Sequence, residues 1–282
     1  MRIESQFGWQ RALVLENECL EVIATLDVGP RILSFRKPGG ENILGIVEEQ
    51  LGDSGESDFR LRGGHRLWLA PEKAATYFPD NHGVQMSKLG DRHVALTAAP
   101  EPLVQKSVEL ELRGSELNLT HHITALSDIE TPIAAWALTI FRKGGTAVIP
   151  QPQTQEHPGH ADEANEAAYL PDRQLSLWSY TDVRDERINW SNPVSIEQRP
   201  DTPPLKLGFL HHEGVVHYDF GADRFTKTVA VTEDGIYPDG NCNLEVYTDG
   251  DILELETLSP LRTLKAGETL SHREIWTITE KR

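Results

Sequence analysis

Apolar and polar residues alternate along much of this chain, and β-branched residues fill many of the apolar positions, with Gly, Pro, Asn and Asp between the runs. A period of two is the signature of strands with one buried face. The pattern predicts strands over 20–26, 31–36, 92–98, 107–113, 116–124, 133–142, 214–220, 226–232, 244–248, 251–258 and 273–279. Gly114-Ser115 sits between VELEL and LNL, where a tight turn joins an antiparallel pair. Helical signals are few. The stretch 160–169, HADEANEAAY, carries helix formers, and Leu170-Pro171 would end it. Proline- and glycine-rich stretches at 38–40, 150–158 and 200–204 mark loops, but strand patterns continue on both sides, so one all-β domain over 1–282 is expected. No fixed-period repeat points to a propeller or solenoid.

Composition narrows the partners. The 282 residues carry 27 Lys and Arg against 44 Asp and Glu, a formal net charge of −17, and no basic run offsets it. Nucleic acid and anionic membranes attract basic surfaces, so neither is an expected partner. The N-terminus is polar from its first residues, and no segment approaches the roughly 20 apolar residues that span a bilayer. The two cysteines, Cys19 and Cys242, lie far apart in strand-like segments, which suits free thiols in the cytoplasm better than a disulfide framework.

Strand parity locates candidate chemistry. In 251–258, Leu253 and Leu255 share one face while Glu254 and Glu256 share the other; in 244–248, Glu245 and Tyr247 oppose Leu244 and Val246. One sheet face therefore gathers carboxylates, which are solvated if exposed and become candidate bases if the face is concave and dry. The segment Gly63-Gly-His-Arg-Leu-Trp-Leu-Ala-Pro-Glu72 supplies, within a few residues, His65, Arg66, Trp68 and Glu72. These side chains suit a sugar: Arg and Glu bind vicinal hydroxyls, Trp stacks on a pyranose, and His carries a proton near neutral pH. The alternative is a loop entering an edge strand, with Arg66 and Glu72 an exposed pair and Trp68 in the core. Parity in 116–123 puts His121 on the apolar face and His122 on the polar one, which makes His122 the functional candidate. His93, His217 and His272 fall at surface-like positions, and His211 and His212 next to Glu213 at a turn. His157 and His160, in EHPGH, have ligand-type side chains, but no helix aligns them, and no metal is expected. The sequence contains no G-x-S-x-G, Walker-type, G-x-G-x-x-G or H-E-x-x-H motif, so no cofactor is expected.

The C-terminal run Leu244-Glu-Val-Tyr-Thr, Leu255-Glu256-Thr257, Pro260 and Leu264-Lys-Ala-Gly267-Glu268 resembles the end of the galactose mutarotase (aldose 1-epimerase) superfamily. The opening LEVIATLDVGPRILSF resembles that superfamily's first pair of strands. GGHRLWLAPE, the stretch from Ile129 to Pro152 and YLPDRQLSLWSYTDVRDER look like an uncharacterised branch of it, a domain of unknown function. The resemblance implies an all-β, mostly antiparallel supersandwich with its ligand on a concave polar face. It also implies that Glu256 matches the family's catalytic base. Where the family carries its acid histidine, this sequence reads Ala135-Trp136-Ala137.

The expectation is a carbohydrate-binding protein of this superfamily, an aldose 1-epimerase acting on a sugar or an acidic sugar derivative. Glu256 would be the base and His65 or His122 the acid; Arg66 and Lys206 would hold hydroxyls or an acidic group, Trp68 or Trp136 would stack on the ring, and Glu72, Glu245 and Glu254 would complete the site. Two other readings stay open: a non-catalytic sugar-binding or sensing module, and a polysaccharide lyase or hydrolase using Glu245, Glu254 and Glu256. The partner is a mono- or oligosaccharide, and the chain is a monomer or homodimer.

Overall fold

The computed structural model describes residues 1–154, 156–157 and 169–281. Two antiparallel sheets pack face to face. The first has 11 strands, which run Arg2–Gln6, Trp9–Glu16, Glu21–Thr25, Arg31–Arg36, His65–Ala70, Ile129–Phe141, Leu253–Leu258, Leu244–Thr248, Leu205–Phe209 and Leu175–Leu177, with Arg262–Leu264 pairing alongside Ile129–Phe141. The second has 10 and is centred on Thr269–Glu280 between Asp223–Val229 and Glu116–Ala125. The hairpin at Gly114-Ser115 closes Val104–Arg113 onto Glu116–Ala125, with Arg113 opposite Glu116. The predicted helix over 160–169 falls, up to residue 168, outside the described residues, as does His160.

Alternation places the core. Leu13, Leu15, Val22, Phe35, Leu205, Leu207, Leu244, Val246, Leu253 and Leu255 of the first sheet face Leu110, Leu119, Phe225, Trp276 and Ile278 of the second. Phe35, Phe225 and Trp276 meet edge to face at the centre, with centroids 5.3–5.7 Å apart, a favoured geometry for aromatic pairs. The opposite side of the first sheet is also covered. Leu258, Trp68, Ala70, Ala134, Trp136 and Leu138 form a smaller cluster there beneath Phe59 and Leu261.

The segment His65–Ala70 is an interior strand, paired along its length with Ile129–Phe141 and touching Arg31–Arg36 through His65 and Ile32, and not an edge. Its two leading glycines have steric reasons. Gly63 and Gly64 have φ of 89° and 70°, and a Cβ on Gly64 would lie 2.1 Å from the Ile32 carbonyl oxygen. Only glycine accepts that approach at that angle.

Candidate functional site

The residues on the outer face of the first sheet form rows across five strands. Arg66, Leu138, Glu256, Glu245 and Gly208 stand in register, and Glu254, Tyr247 and Lys206 make the next row. Two carboxylates, Glu245 and Glu256, are thus directly opposite on adjacent strands, an arrangement that is repulsive when both are charged. Lys206 resolves it. Its Nζ lies 2.7 Å from Glu245 Oε2 and 2.9 Å from Glu256 Oε2, and sits 4.6 Å and 4.7 Å from the ring centroids of Trp136 and Trp178. Burial alone would lower the lysine, but Glu256 and Glu245 outweigh it and hold the ammonium above its ordinary value. A lysine kept charged in this way is no Schiff-base nucleophile.

Glu256 Oε2 also accepts a hydrogen bond from Trp136 Nε1 at 2.7 Å. Trp136, at the position where the superfamily resemblance places an acid histidine, therefore supplies an N–H that fixes the carboxylate. Glu245, wholly buried, is raised well above the usual carboxylate range by desolvation, with Glu256 and Asp239 adding to the effect and Lys206 opposing it. Glu254 is raised too, first by burial and then by Glu256, against the pull of Arg66, whose Nη1 lies 3.1 Å from Glu254 Oε1. The Arg66 guanidinium in turn lies 4.3 Å from the ring centroid of Trp68.

Above these rows opens a cavity of about 520 Å³, lined by Arg66, Trp68, Glu72, Trp136, Lys206, Glu254 and Glu256. Seven residues singled out in the sequence meet here, and Glu245 lies directly behind Lys206. The sequence pattern did not mark Phe59, Tyr77, Tyr180 and Tyr247 as site residues, and they also line the wall. Of these, Tyr77 donates its hydroxyl proton to Glu72, and burial together with that bond raises the phenol to about 12. All but Tyr247 come from segments between strands, where no periodicity marks them; Tyr247 shares the parity of Glu245.

The two candidate histidines are elsewhere. His65 has opposite parity to Arg66 and Trp68, so it points between the sheets, 2% exposed. There its Nε2 is 2.7 Å from His121 Nε2 and its Nδ1 2.8 Å from Thr139 Oγ1. The bonds assign the protons. His121 Nδ1 donates to the His272 carbonyl, so its Nε2 accepts from His65 Nε2–H, and His65 Nδ1 accepts from the Thr139 hydroxyl, which itself accepts from Lys227. Burial holds His65 well below its ordinary value and His272 at about 3. His272 is thus an inward-facing residue and not a surface one. The ligand-type atoms of His65, His121 and Glu274 lie within 4.8 Å of one another, but the Lys227 ammonium, 3.1 Å from Glu274 Oε1, already supplies the positive charge in that cluster. His122 lies on the outer face of the second sheet, bonded to Ser271 Oγ at 2.9 Å and 3.5 Å from Glu109. Two packed sheets separate it from Glu256, and neither histidine can exchange a proton with a ligand in the cavity.

Arg66 and Lys206 are also not free cations. Each is already matched by carboxylates, and Glu72 adds a further acid at the rim. An acidic substituent would have to displace these carboxyl partners to reach either cation.

Solved structures, a galactose mutarotase-like protein among them, superpose on this chain. A protein from Synechocystis sp. PCC 6803 matches with a TM-score of 0.60 at 13% identity, over 99% of this chain and 100% of its own. A candidate aldose 1-epimerase from Escherichia coli K12 matches at 0.59 and 12%, over 96% and 99%. A galactose mutarotase-like protein from Lactobacillus casei ATCC 334 matches at 0.58 and 10%, over 95% and 100%. At these identities the likeness establishes the galactose mutarotase-like fold. No model of a known protein family and no curated protein matches the sequence. No helix among the described residues is long and apolar enough to cross a membrane.

Proposed function

We propose that the cavity binds a neutral sugar and exchanges its anomers by acid–base chemistry on two carboxyl groups, with Glu256 as base and Glu254 as acid. The supporting observation is the contrast between neighbours on one strand face. Their Cα atoms are about 7 Å apart along the strand, yet their surroundings differ. Glu256 has one oxygen fixed by two N–H donors, Trp136 and Lys206, and Oε1 has no hydrogen-bond partner among the described residues. Glu254 is desolvated and raised, so its carboxyl retains a proton more readily. Paired carboxyls in contrasting environments are how acid and base roles are divided at one site. Glu256 takes the proton of the anomeric hydroxyl as the bond from the anomeric carbon to the ring oxygen breaks, and Glu254 gives its proton to that ring oxygen. Rotation of the open-chain aldehyde and the reverse transfers close the other anomer and restore both carboxyls. Arg66 and Lys206 act as positioning residues, and Tyr77, Tyr180 and Phe59 offer ring faces for stacking.

The test is proton exchange spectroscopy of α/β interconversion for glucose, galactose and mannose, with glucuronate for comparison. Acceleration confined to neutral sugars is expected. Faster exchange of the uronate than of any neutral sugar overturns the charge argument. One observation favours a non-catalytic binding module instead: Glu256 Oε2 already holds two donors. Tight binding without acceleration establishes that module and refutes the exchange reaction.

A further inference from the structure

Beyond Lys206 and Trp136 the cavity continues into a second lobe of about 440 Å³, where Trp178 and Asp239 replace Glu254 and Glu256 in the wall. Glu72, Tyr77, Trp136 and Lys206 line both lobes and mark their junction. Each lobe alone falls within the range of roughly 300–1,000 Å³ typical of small-molecule sites. A single ring held at Glu256 leaves the second lobe without a role. We infer that the site takes a disaccharide or longer chain, with one ring at Glu254 and Glu256 and the next in the lobe walled by Trp178 and Asp239.

Both residues are presented by unusual local structure. Asp239, Gly240 and Asn241 have consecutive positive φ of 52°, 77° and 74°. For Asp and Asn that conformation is strained, and such strain collects at ligand sites. Here it is held by Tyr237 N–H donating to Asn241 Oδ1 at 2.8 Å and Cys242 N–H donating to the Pro238 carbonyl at 2.8 Å. The turn delivers the half-buried Asp239 carboxyl to the lobe, where a pair of sugar hydroxyls is a fitting partner. Trp178 is seated by the absence of a side chain at 208: a Cβ there would lie 3.2 Å from Trp178 Cζ3 and 2.5 Å from Cys242 Sγ. The indole is partly exposed and lines the second lobe but not the first. An aromatic face and a carboxyl at one wall suit a second pyranose, which buries its apolar face on the ring.

This inference rests on the sugar assignment of the cavity, and the experiment separates the two. Calorimetric titration compares glucose and galactose with maltose, cellobiose and lactose, on the wild type and on Trp178→Ala, Trp178→Phe and Asp239→Asn. At least one disaccharide is expected to bind about tenfold or more tightly than its monosaccharides. Trp178→Ala should lower that disaccharide's affinity by about tenfold and bring the ratio close to one, Asp239→Asn should lower it less, and Trp178→Phe, which keeps a ring face, should retain most of it. Disaccharides binding within twofold of their monosaccharides, or a ratio that survives Trp178→Ala, overturns the second subsite and leaves the sugar assignment standing. Failure of every sugar to bind the wild type overturns both.

Discussion

Replacing Lys206 with Met tests the electrostatics on which the site is built. The substitution keeps most of the apolar stem between Trp136 and Trp178 and removes only the ammonium. Glu245 and Glu256, 0% and 1% exposed and opposite one another across the strands, then lose their shared cation. Removing one partner of a buried ion pair costs about 3–5 kcal/mol, because a charge is left buried and uncompensated. For a protein of this size that is a fall in Tm of about 5–8 °C. The pH dependence is diagnostic. A carboxyl whose folded pKa is raised binds its proton more tightly folded than unfolded, so stability falls as pH rises between the two values. Glu245 is already raised, and without Lys206 it loses the cation that opposes the shift, so the deficit should be large at pH 8 and shrink towards pH 5. Differential scanning calorimetry across that range reads it directly. Lys206→Met/Glu245→Gln, with one carboxylate fewer, should recover part of the loss. A deficit under 2 °C at pH 8, or one that does not change with pH, refutes the assignment of Lys206 as the neutralising charge.

Other outcomes follow from the same contacts. Gly64→Ala forces a Cβ to within 2.1 Å of the Ile32 carbonyl oxygen at φ 70°, so urea unfolding should show a loss of about 2 kcal/mol or more. Between the sheets, burial opposes ionisation of Glu274, but Lys227 and the neighbouring histidines hold its carboxyl far below the ordinary value. Stability from a depressed carboxyl is present above its unfolded pKa and lost as pH falls through the folded one. The Tm advantage of wild type over Glu274→Gln should therefore be largest above pH 5 and shrink towards pH 3. Burial pushes the Cys242 thiol up to about 12, so a disulfide reagent should modify at most one thiol in the folded protein and two after denaturation.

The layout of the fold was legible because alternation survives in the strands that have one polar face. Val104–Arg113 and Glu116–Ala125 alternate cleanly between buried and partly exposed positions. Leu205–Phe209 and Leu253–Leu258 are buried on both faces because loops cover the outer side of the first sheet, and that cover has no periodic signal. The carboxylate row was legible from parity, since Glu245, Glu254 and Glu256 had only to share a face. The same rule separates His65 from Arg66 and Trp68, and in Thr269–Glu280 it places His272 and Glu274 among Leu270, Trp276 and Ile278 on the buried face. Residue chemistry made His65 attractive, while position on the pleat decides which side of the sheet it serves. Tyr77, Trp178, Tyr180 and Asp239 are set by tertiary docking of connecting segments, which one sequence does not encode as a pattern.

The proposed reaction assigns proton transfer to two carboxyls and to no histidine. Anomer exchange measured on one neutral sugar for wild type, Glu256→Gln, Glu254→Gln and His65→Gln tests it most directly. A loss of about 100-fold or more is expected for each carboxamide variant, and a rate near wild type for folded His65→Gln. Wild-type exchange in Glu256→Gln, or its collapse in a fully folded His65→Gln, contradicts it.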